Sequence, residues 1–322
     1  MVDGYGRIID YMRISVTDCC NLRCVYCMPE SGVRFAPQKS LLTDGEIVRI
    51  INAAARTGIS HIKVTGGEPL LRDGVTTLIH QVKEIPGIET VSLTTNGILL
   101  PECMAELYEA GISSINISLD TLDAKRYREL TRGGVLEHAL AGLRTAATYP
   151  EMKVKVNAVL DEEHWEEDVM ALTYLAKENK VHVRFIEHMP LGIESNETPV
   201  AEQDILKLLR QYYGESKPCR EKIGEGPGHY FAFPGLVGRI GFISAMSHKF
   251  CSECNRIRLS ADGKLRMCLQ SKDGISLRDI IRNHVSDEEL VEIIEKSIRQ
   301  KPEGHCMNVQ RIEAEGMCQI GG

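Results

Sequence analysis

The sequence predicts an α/β fold: a partial, six-unit parallel βα barrel, with a C-terminal region of different character closing it. Three observations lead there. Up to about residue 213, short runs rich in β-branched residues alternate with longer amphipathic stretches. Strands that alternate with helices pair in parallel, through right-handed crossovers. Six such units stop short of the eight that close a barrel, so the barrel is expected to stay open.

The strands are expected at 11–16, 61–65, 90–95, 114–119, 153–159 and 182–187. The clearest helix starts after Thr43, where Glu46 completes a capping box and Ile47, Ile50, Ile51 and Ala54 share one face. Another follows Asp161 and carries Trp165, Val169, Leu172 and Leu175. Near Gly214 the pattern changes. The run Gly224-Glu225-Gly226-Pro227-Gly228 breaks any helix, strand-like runs follow at 229–233 and 239–243, and a helix is expected over about 287–299. Residues 301–304 read as a linker before a tail that ends in Gly321 and Gly322. The chain is therefore expected to divide into a barrel domain, 1–213, and a smaller domain, 214–322.

Composition narrows the function. Of 322 residues, 43% are hydrophobic and 26% charged, values of a globular chain that rule out disorder and fibrous repeats. Thirty-eight Lys and Arg against 45 Asp and Glu leave a net charge of −7, a poor basis for non-specific nucleic-acid binding. No uncharged apolar run approaches the roughly 18 residues of a membrane span. The first residues, Met1 to Arg7, lack the apolar core of a signal peptide. A soluble, cytoplasmic protein without membrane or nucleic-acid partners is expected.

Eleven cysteines are many for a reducing compartment, where disulfide frameworks do not persist. Their odd number also forbids full pairing within the chain. Six fall into two tight groups, and Cys19, Cys103, Cys219, Cys306 and Cys318 are scattered. Clustered thiols in such a compartment point to metal. Cys20, Cys24 and Cys27 follow the first strand, so their loop opens at the C-terminal end of the sheet, where parallel α/β folds bind ligands. Three thiolates can hold three irons of a [4Fe–4S] cube and leave the fourth iron open for reaction. Cys19 offers a competing register with one more intervening residue, and Cys20 is kept as the ligand. A structural zinc site competes, but it requires a fourth ligand, and neither His61 nor His80 is placed by spacing to supply it. The second group, Cys251, Cys254 and Cys268, again supplies three thiolates; a zinc ribbon there would need His248 or His284.

The run from Asp18 to Pro29, DCCNLRCVYCMP, resembles the cluster loop of the radical S-adenosylmethionine (SAM) enzymes, whose open iron chelates the amino and carboxylate groups of SAM. Thr65-Gly66-Gly67-Glu68-Pro69 matches a second mark of that family one βα unit later. Standing alone it would be an ordinary βα turn with Pro at the helix start; within the family its glycines are expected to let backbone approach the methionine part of SAM. The run from Phe250 to Lys264, FCSECNRIRLSADGK, resembles one branch, the GTP 3′,8-cyclase family of molybdenum cofactor biosynthesis. There a second three-Cys [4Fe–4S] cluster binds the guanine of GTP through its open iron. Gly321 and Gly322 match as well, since that family ends in a double glycine that reaches into the active site. The resemblance covers Arg7 to Gly322.

What the resemblance implies is specific. SAM is contacted by Tyr26, Gly67, Ser118 and Met189, and GTP by Arg13, Lys63, Thr94, Lys155, Arg256 and Arg258. Arg184 belongs in the site without an assigned partner. Arg13, Lys63, Lys155 and Arg184 also stand inside apolar strand runs, where an unpaired charge is costly to bury. One such residue would be a solvent-facing strand position; four on successive strands favour a shared anionic ligand. Two positions depart from the family, Cys19 and Lys63, each standing where Arg is common, and Lys63 keeps charge while losing bidentate recognition. The implied reaction cleaves SAM reductively to a 5′-deoxyadenosyl radical, which takes H3′ of GTP so that C3′ joins C8. It requires an external electron donor of flavodoxin or ferredoxin type and feeds the cyclic pyranopterin monophosphate synthase; the chain would be a monomer or homodimer. Two other readings stay open: a peptide-modifying radical SAM maturase, and a non-catalytic iron–sulfur electron carrier.

Overall fold

A computed structural model describes residues 1–178, 180–190, 199–271 and 274–305. Its strands are β1 (Tyr11–Ser15), β2 (His61–Thr65), β3 (Thr90–Thr95), β4 (Ser114–Ser118), β5 (Lys153–Val159) and β6 (His182–Ile186). After these come β7 (Lys217–Pro218), β8 (His229–Ala232), β9 (Ile240–Ile243), β10 (Arg256–Leu259), β11 (Lys264–Arg266) and β12 (Ile275–Ser276). All twelve form one sheet in the order β12-β11-β10-β1-β2-β3-β4-β5-β6-β9-β8-β7, which is not closed. The six expected strands stand at its centre, each within one residue of its expected end. At those ends pairing stops and the chain leaves the ladder, although Val16 N still donates to Thr65 O at 2.9 Å.

The C-terminal residues do not build a separate sheet. β10 pairs in parallel with β1, and β9 in parallel with β6, so the parallel stretch gains one strand at each side. Beyond these, β11–β12 and β8–β7 continue antiparallel.

The expected capping box is present: Thr43 Oγ1 accepts from Glu46 N, and Glu46 accepts from Thr43 N, at the start of the helix Asp44–Arg56. That helix packs on the helix Asp287–Arg299, itself opened by a capping box of Ser286 and Glu289, with Arg49 and Asp287 bridging them at 2.7 Å. Ile47, Ile50, Ile51 and Ala54 are buried on its inner face, as the 3.6-residue period requires.

The strands decide where a site can form. Side chains alternate between the faces of a strand. Met12, Ile14, Ile62, Val64, Val91, Leu93, Ile115, Ile117, Val156 and Val183 are fully or almost fully buried in the aliphatic core. The positions between them are Arg13, Lys63, Ser92, Thr94, Asn116, Ser118, Lys155, Asn157 and Arg184. The inner face of this open barrel is therefore polar and cationic, where a purely structural barrel would be filled by branched aliphatics. Among the described residues, no helix is long and apolar enough to cross a membrane.

Candidate active site

One cavity inside the barrel is lined by both cysteine triads, the first beyond the C-terminal end of β1 and the second beside the N-terminal end of β10, which runs parallel to β1. The first triad is held by its main chain. Arg23 N and Val25 N donate to Thr131 O and Leu130 O, at the end of the helix Ala124–Leu130. Arg132, with a left-handed φ of 52°, donates to Arg23 O at 3.1 Å and Met28 O at 2.7 Å. Cys27 N donates to Cys24 O at 3.0 Å, closing the turn that brings these two cysteines together. Cys20, Cys24 and Cys27 face the cavity, whereas Cys19 does not. Cys19 instead gives its carbonyl to Glu68 N at 2.7 Å.

That bond explains the double glycine. A Cβ on Gly67 would lie 2.2 Å from Cys19 O, and one on Gly66 would lie 2.5 Å from Thr17 O. The glycines thus let the second turn lie directly on the cysteine loop, a close approach of backbone to backbone. Gly67 also lines the cavity. Glu68, almost fully buried, receives Thr95 Oγ1 at 2.7 Å, Asn96 N at 2.8 Å and Leu70 N at 3.1 Å. Burial outweighs these bonds and pushes its carboxyl up to about 7.

Tyr26, Ser118 and Met189 line the same cavity. Tyr26 Oη donates to Asp120 Oδ2 at 2.7 Å, while Val159 N holds the other carboxylate oxygen at 2.9 Å. Burial lifts the Asp120 carboxyl to about 6. Burial, Asp120 and Cys20 together push the Cys24 thiol up to about 12. Thiolate character there calls for a bound cation, which suits a metal-ligating triad. Burial also acts on Cys254, but Arg256 and Lys301 outweigh it and bring that thiol down to about 7. None of His61, His80, His248 and His284 lines the cavity. Among the described residues, no three His, Cys, Asp or Glu side chains are grouped to hold a single metal ion.

Between the triads lie the cations. Register sets Arg258, Arg13 and Lys63 side by side on β10, β1 and β2, and Thr94, Asn116 and Lys155 on β3, β4 and β5. Arg13, Thr94, Arg184, Arg256 and Arg258 line the cavity. Lys63 and Lys155 stand two residues earlier on their strands than the lining residues Thr65 and Asn157, and are 5% and 2% exposed. Arg184 donates from Nε and Nη2 to Asn157 Oδ1 at 3.0 and 2.7 Å. With its amide oxygen turned to the cations, Asn116 accepts from Lys63 Nζ at 2.9 Å and Arg184 Nη2 at 3.1 Å. Burial, then neighbouring cations, lowers Arg13 to about 10 and Lys155 to about 7 and brings Lys63 and Arg258 well down. Glu225 opposes this at both lysines. Thr94 Oγ1 is buried without a hydrogen-bond partner. A wall with this excess of buried positive charge is built to receive an anion.

Comparison with known proteins fits this geometry. The model of the Radical SAM superfamily matches residues 14–175, and that of Molybdenum Cofactor Synthesis C matches 181–307. A GTP 3′,8-cyclase of Clostridium perfringens (strain 13 / Type A) is 44% identical over 324 residues, covering 100% of both chains. The chain belongs to the GTP 3′,8-cyclase family. Another relative, the GTP 3′,8-cyclase of Pelotomaculum thermopropionicum, is 43% identical over 327 residues, again over 100% of both chains. Among solved structures, SuiB of Streptococcus suis aligns with a TM-score of 0.63 at 16% identity, covering 98% of this chain and 78% of that chain. That likeness is one of fold, the open parallel βα barrel.

In this cyclase-family chain, several cavity residues escaped the sequence. Asp120, Asn157, Glu187, Lys301 and His305 all line the wall. Asp120 and Asn157 stand at or just beyond strand C-termini, which is the one local signal that marks them. Gly321 and Gly322 lie outside the described residues.

Proposed function

We propose that this chain is a radical SAM lyase that converts GTP to its 3′,8-cyclised form, the first step of molybdenum cofactor biosynthesis. One observation carries the reading: two thiol triads and a band of buried cations open on a single cavity. Cys20, Cys24 and Cys27 would hold one [4Fe–4S] cluster, and Cys251, Cys254 and Cys268 a second. When bound and reduced, the first cluster would supply the electron that cleaves SAM to methionine and a 5′-deoxyadenosyl radical, which would take H3′ of GTP; C3′ would then bond to C8, and one further electron from the external donor with a proton would quench the cyclised radical.

The chain's own residues position the reactants. Tyr26, Gly67, Ser118 and Met189 would hold SAM beside the first triad, with Asp120 fixing the Tyr26 ring through its hydroxyl. Arg13, Arg256 and Arg258, with Thr94 offering its free hydroxyl, would bind GTP between the triads. Lys63 and Lys155 stand in the same strand register, where a bound anion would favour their charged forms, and Arg184 is held by Asn116 and Asn157. Guanidinium forks match phosphate oxygens two at a time, and the low dielectric of the barrel strengthens each contact. Holding C3′ toward the SAM side is the larger part of catalysis here, a matter of proximity and orientation. Gly321 and Gly322 would complete the site from the tail. Residues 1–213 would form the SAM-binding domain and 214–322 the substrate-binding domain, in a cytoplasmic protein served by a flavodoxin or ferredoxin and followed by the cyclic pyranopterin monophosphate synthase.

The test is anaerobic incubation of reduced, reconstituted protein with SAM and GTP. Cyclised nucleotide and 5′-deoxyadenosine in equal amounts are expected. Deoxyadenosine without cyclised nucleotide would leave only the superfamily. A mere electron carrier would give neither, and it would leave the buried cations without a purpose.

A further inference from the structure

The second triad is gripped from behind by two buried cations far apart in sequence, Arg7 and Lys301. Lys301, just past the helix Asp287–Arg299, is 3% exposed. Its Nζ donates to Arg256 O at 2.8 Å and also to Met267 O. Arg256 follows Cys254 by two residues, and Met267 immediately precedes Cys268. The β10–β11 ladder registers Arg258 with Arg266 and Leu259 with Leu265. Past that ladder the ammonium group joins the two strands where no strand–strand pairing does.

Arg7 completes the grip. Its Nη1 donates to Cys251 O at 2.7 Å and Glu303 O at 2.8 Å, and its Nη2 to Pro302 O at 2.7 Å. Asp3 orients the guanidinium, accepting from Nε at 2.6 Å and from Arg7 N at 3.0 Å. A Cβ on Gly304 would lie 3.6 Å from Cys251 Sγ, so the segment after Lys301 passes against the triad itself. Each cysteine of the second group thus has its own or a nearby carbonyl held by Arg7 or Lys301. Arg7 and the segment 301–304 meet at that point.

We infer that Arg7 and Lys301 are positioning residues of the second triad. They fix the spacing of its three thiolates and place positive charge behind them. Resting on the two-cluster reading above, this predicts that they govern retention and reduction potential of the second cluster only. Hydrogen bonding and net charge around a cluster are recognised levers on its potential, and positive charge favours the reduced form.

The experiment uses the full chain, reconstituted anaerobically, as wild type, Lys301→Met and Arg7→Lys. Lys301→Met keeps the stem and removes the donors. Arg7→Lys keeps the charge and loses the fork that spans three carbonyls. Iron and sulfide are counted, and each cluster is followed by electron paramagnetic resonance, the first through its response to SAM and the second through its response to GTP. Lys301→Met is expected to lose the GTP-responsive signal, or to keep it at a more negative midpoint potential, with the SAM-responsive signal unchanged. Arg7→Lys is expected to lower second-cluster occupancy without that shift in potential. The intact first cluster reports that the barrel has folded. If both variants keep wild-type occupancy and potential at the second cluster, the inference is wrong. Loss of both signals together would equally overturn it, because the effect would then be on the whole fold. If the wild type itself holds one cluster only, the two-cluster reading fails instead.

Discussion

Gly67 offers the sharpest test of how the first triad is built. Replacing it with alanine puts a Cβ 2.2 Å from Cys19 O, 2.6 Å from Cys19 C and 2.7 Å from Asp18 O. All three neighbours are backbone, so none can rotate away. Ordinary contact starts near 3.4 Å, and the turn must withdraw by about 1 Å. Two hydrogen bonds of 2.7 Å cross that gap, Gly67 N to Thr17 O and Glu68 N to Cys19 O. Stretching them by about 1 Å takes both beyond useful range. Each buried bond left unmade costs about 1–3 kcal/mol, so G67A should lose about 2–6 kcal/mol. That is a large share of the roughly 5–15 kcal/mol that holds a domain together. Urea denaturation of the apoprotein, followed by circular dichroism, measures it. Gly45 serves as the control, since it is exposed at the start of the helix Asp44–Arg56 with nothing within 4 Å of an added Cβ. G45A should be neutral or stabilising by up to about 1 kcal/mol. A G67A protein that unfolds at the wild-type urea concentration would refute the packing account of the double glycine.

Two further outcomes are expected. Burial raises the Glu68 carboxyl from 4.5 to about 7, so the folded chain keeps a proton that the unfolded chain has already lost. The contribution of Glu68 to stability should be fully present below pH 4.5 and decline by about 3 kcal/mol as pH rises through about 7, so the difference between wild type and E68Q should shrink over that range; a difference that does not change with pH would contradict this. Arg126 grips Asp168 through two bonds of 2.7 and 2.8 Å, and the Asp168 side chain is 2% exposed. D168A should cost about 3 kcal/mol, and a cycle with Arg126→Met should show strong coupling between the two sites; simple additivity would argue against the pair.

Much of this arrangement is legible along the chain because its physics is local. β2, β3 and β5 follow from alternation and β-branching, and the Thr43–Glu46 capping box from two residues three apart. The first cysteine triad is legible for the same reason, since a short loop must bring its own thiols together, whereas Cys268 returns to Cys251 and Cys254 only through the β10–β11 ladder. What the sequence hides depends on contacts between distant positions. Tyr26 finds Asp120 across 94 residues and Arg7 finds Cys251 across 244, and no local pattern announces either. The parallel attachment of β9 and β10 is hidden for the same reason: both are four-residue runs whose partners are chosen by the sheet. Residues 301–304 read as a linker because Lys, Pro, Glu and Gly are linker residues. In the fold Lys301 is buried, and its ammonium group earns that place through carbonyls no nearby residue supplies. Hidden as well is the packing of Gly66 and Gly67 against the neighbouring cysteine loop, where a Cβ would meet Thr17 O and Cys19 O.

An unclosed sheet carries a hazard that a closed one avoids, for its two rims expose main-chain donors and acceptors to any passing strand. Here each rim ends in a strand of only two residues, Ile275–Ser276 on one side and Lys217–Pro218 on the other. Proline brings no N–H to the second rim, and lysine brings a charge that resists stacking with its like. Both outermost strands run against their neighbours, which also stops the parallel array from being extended in kind. Both rims of the open sheet are thereby made poor templates for an added strand.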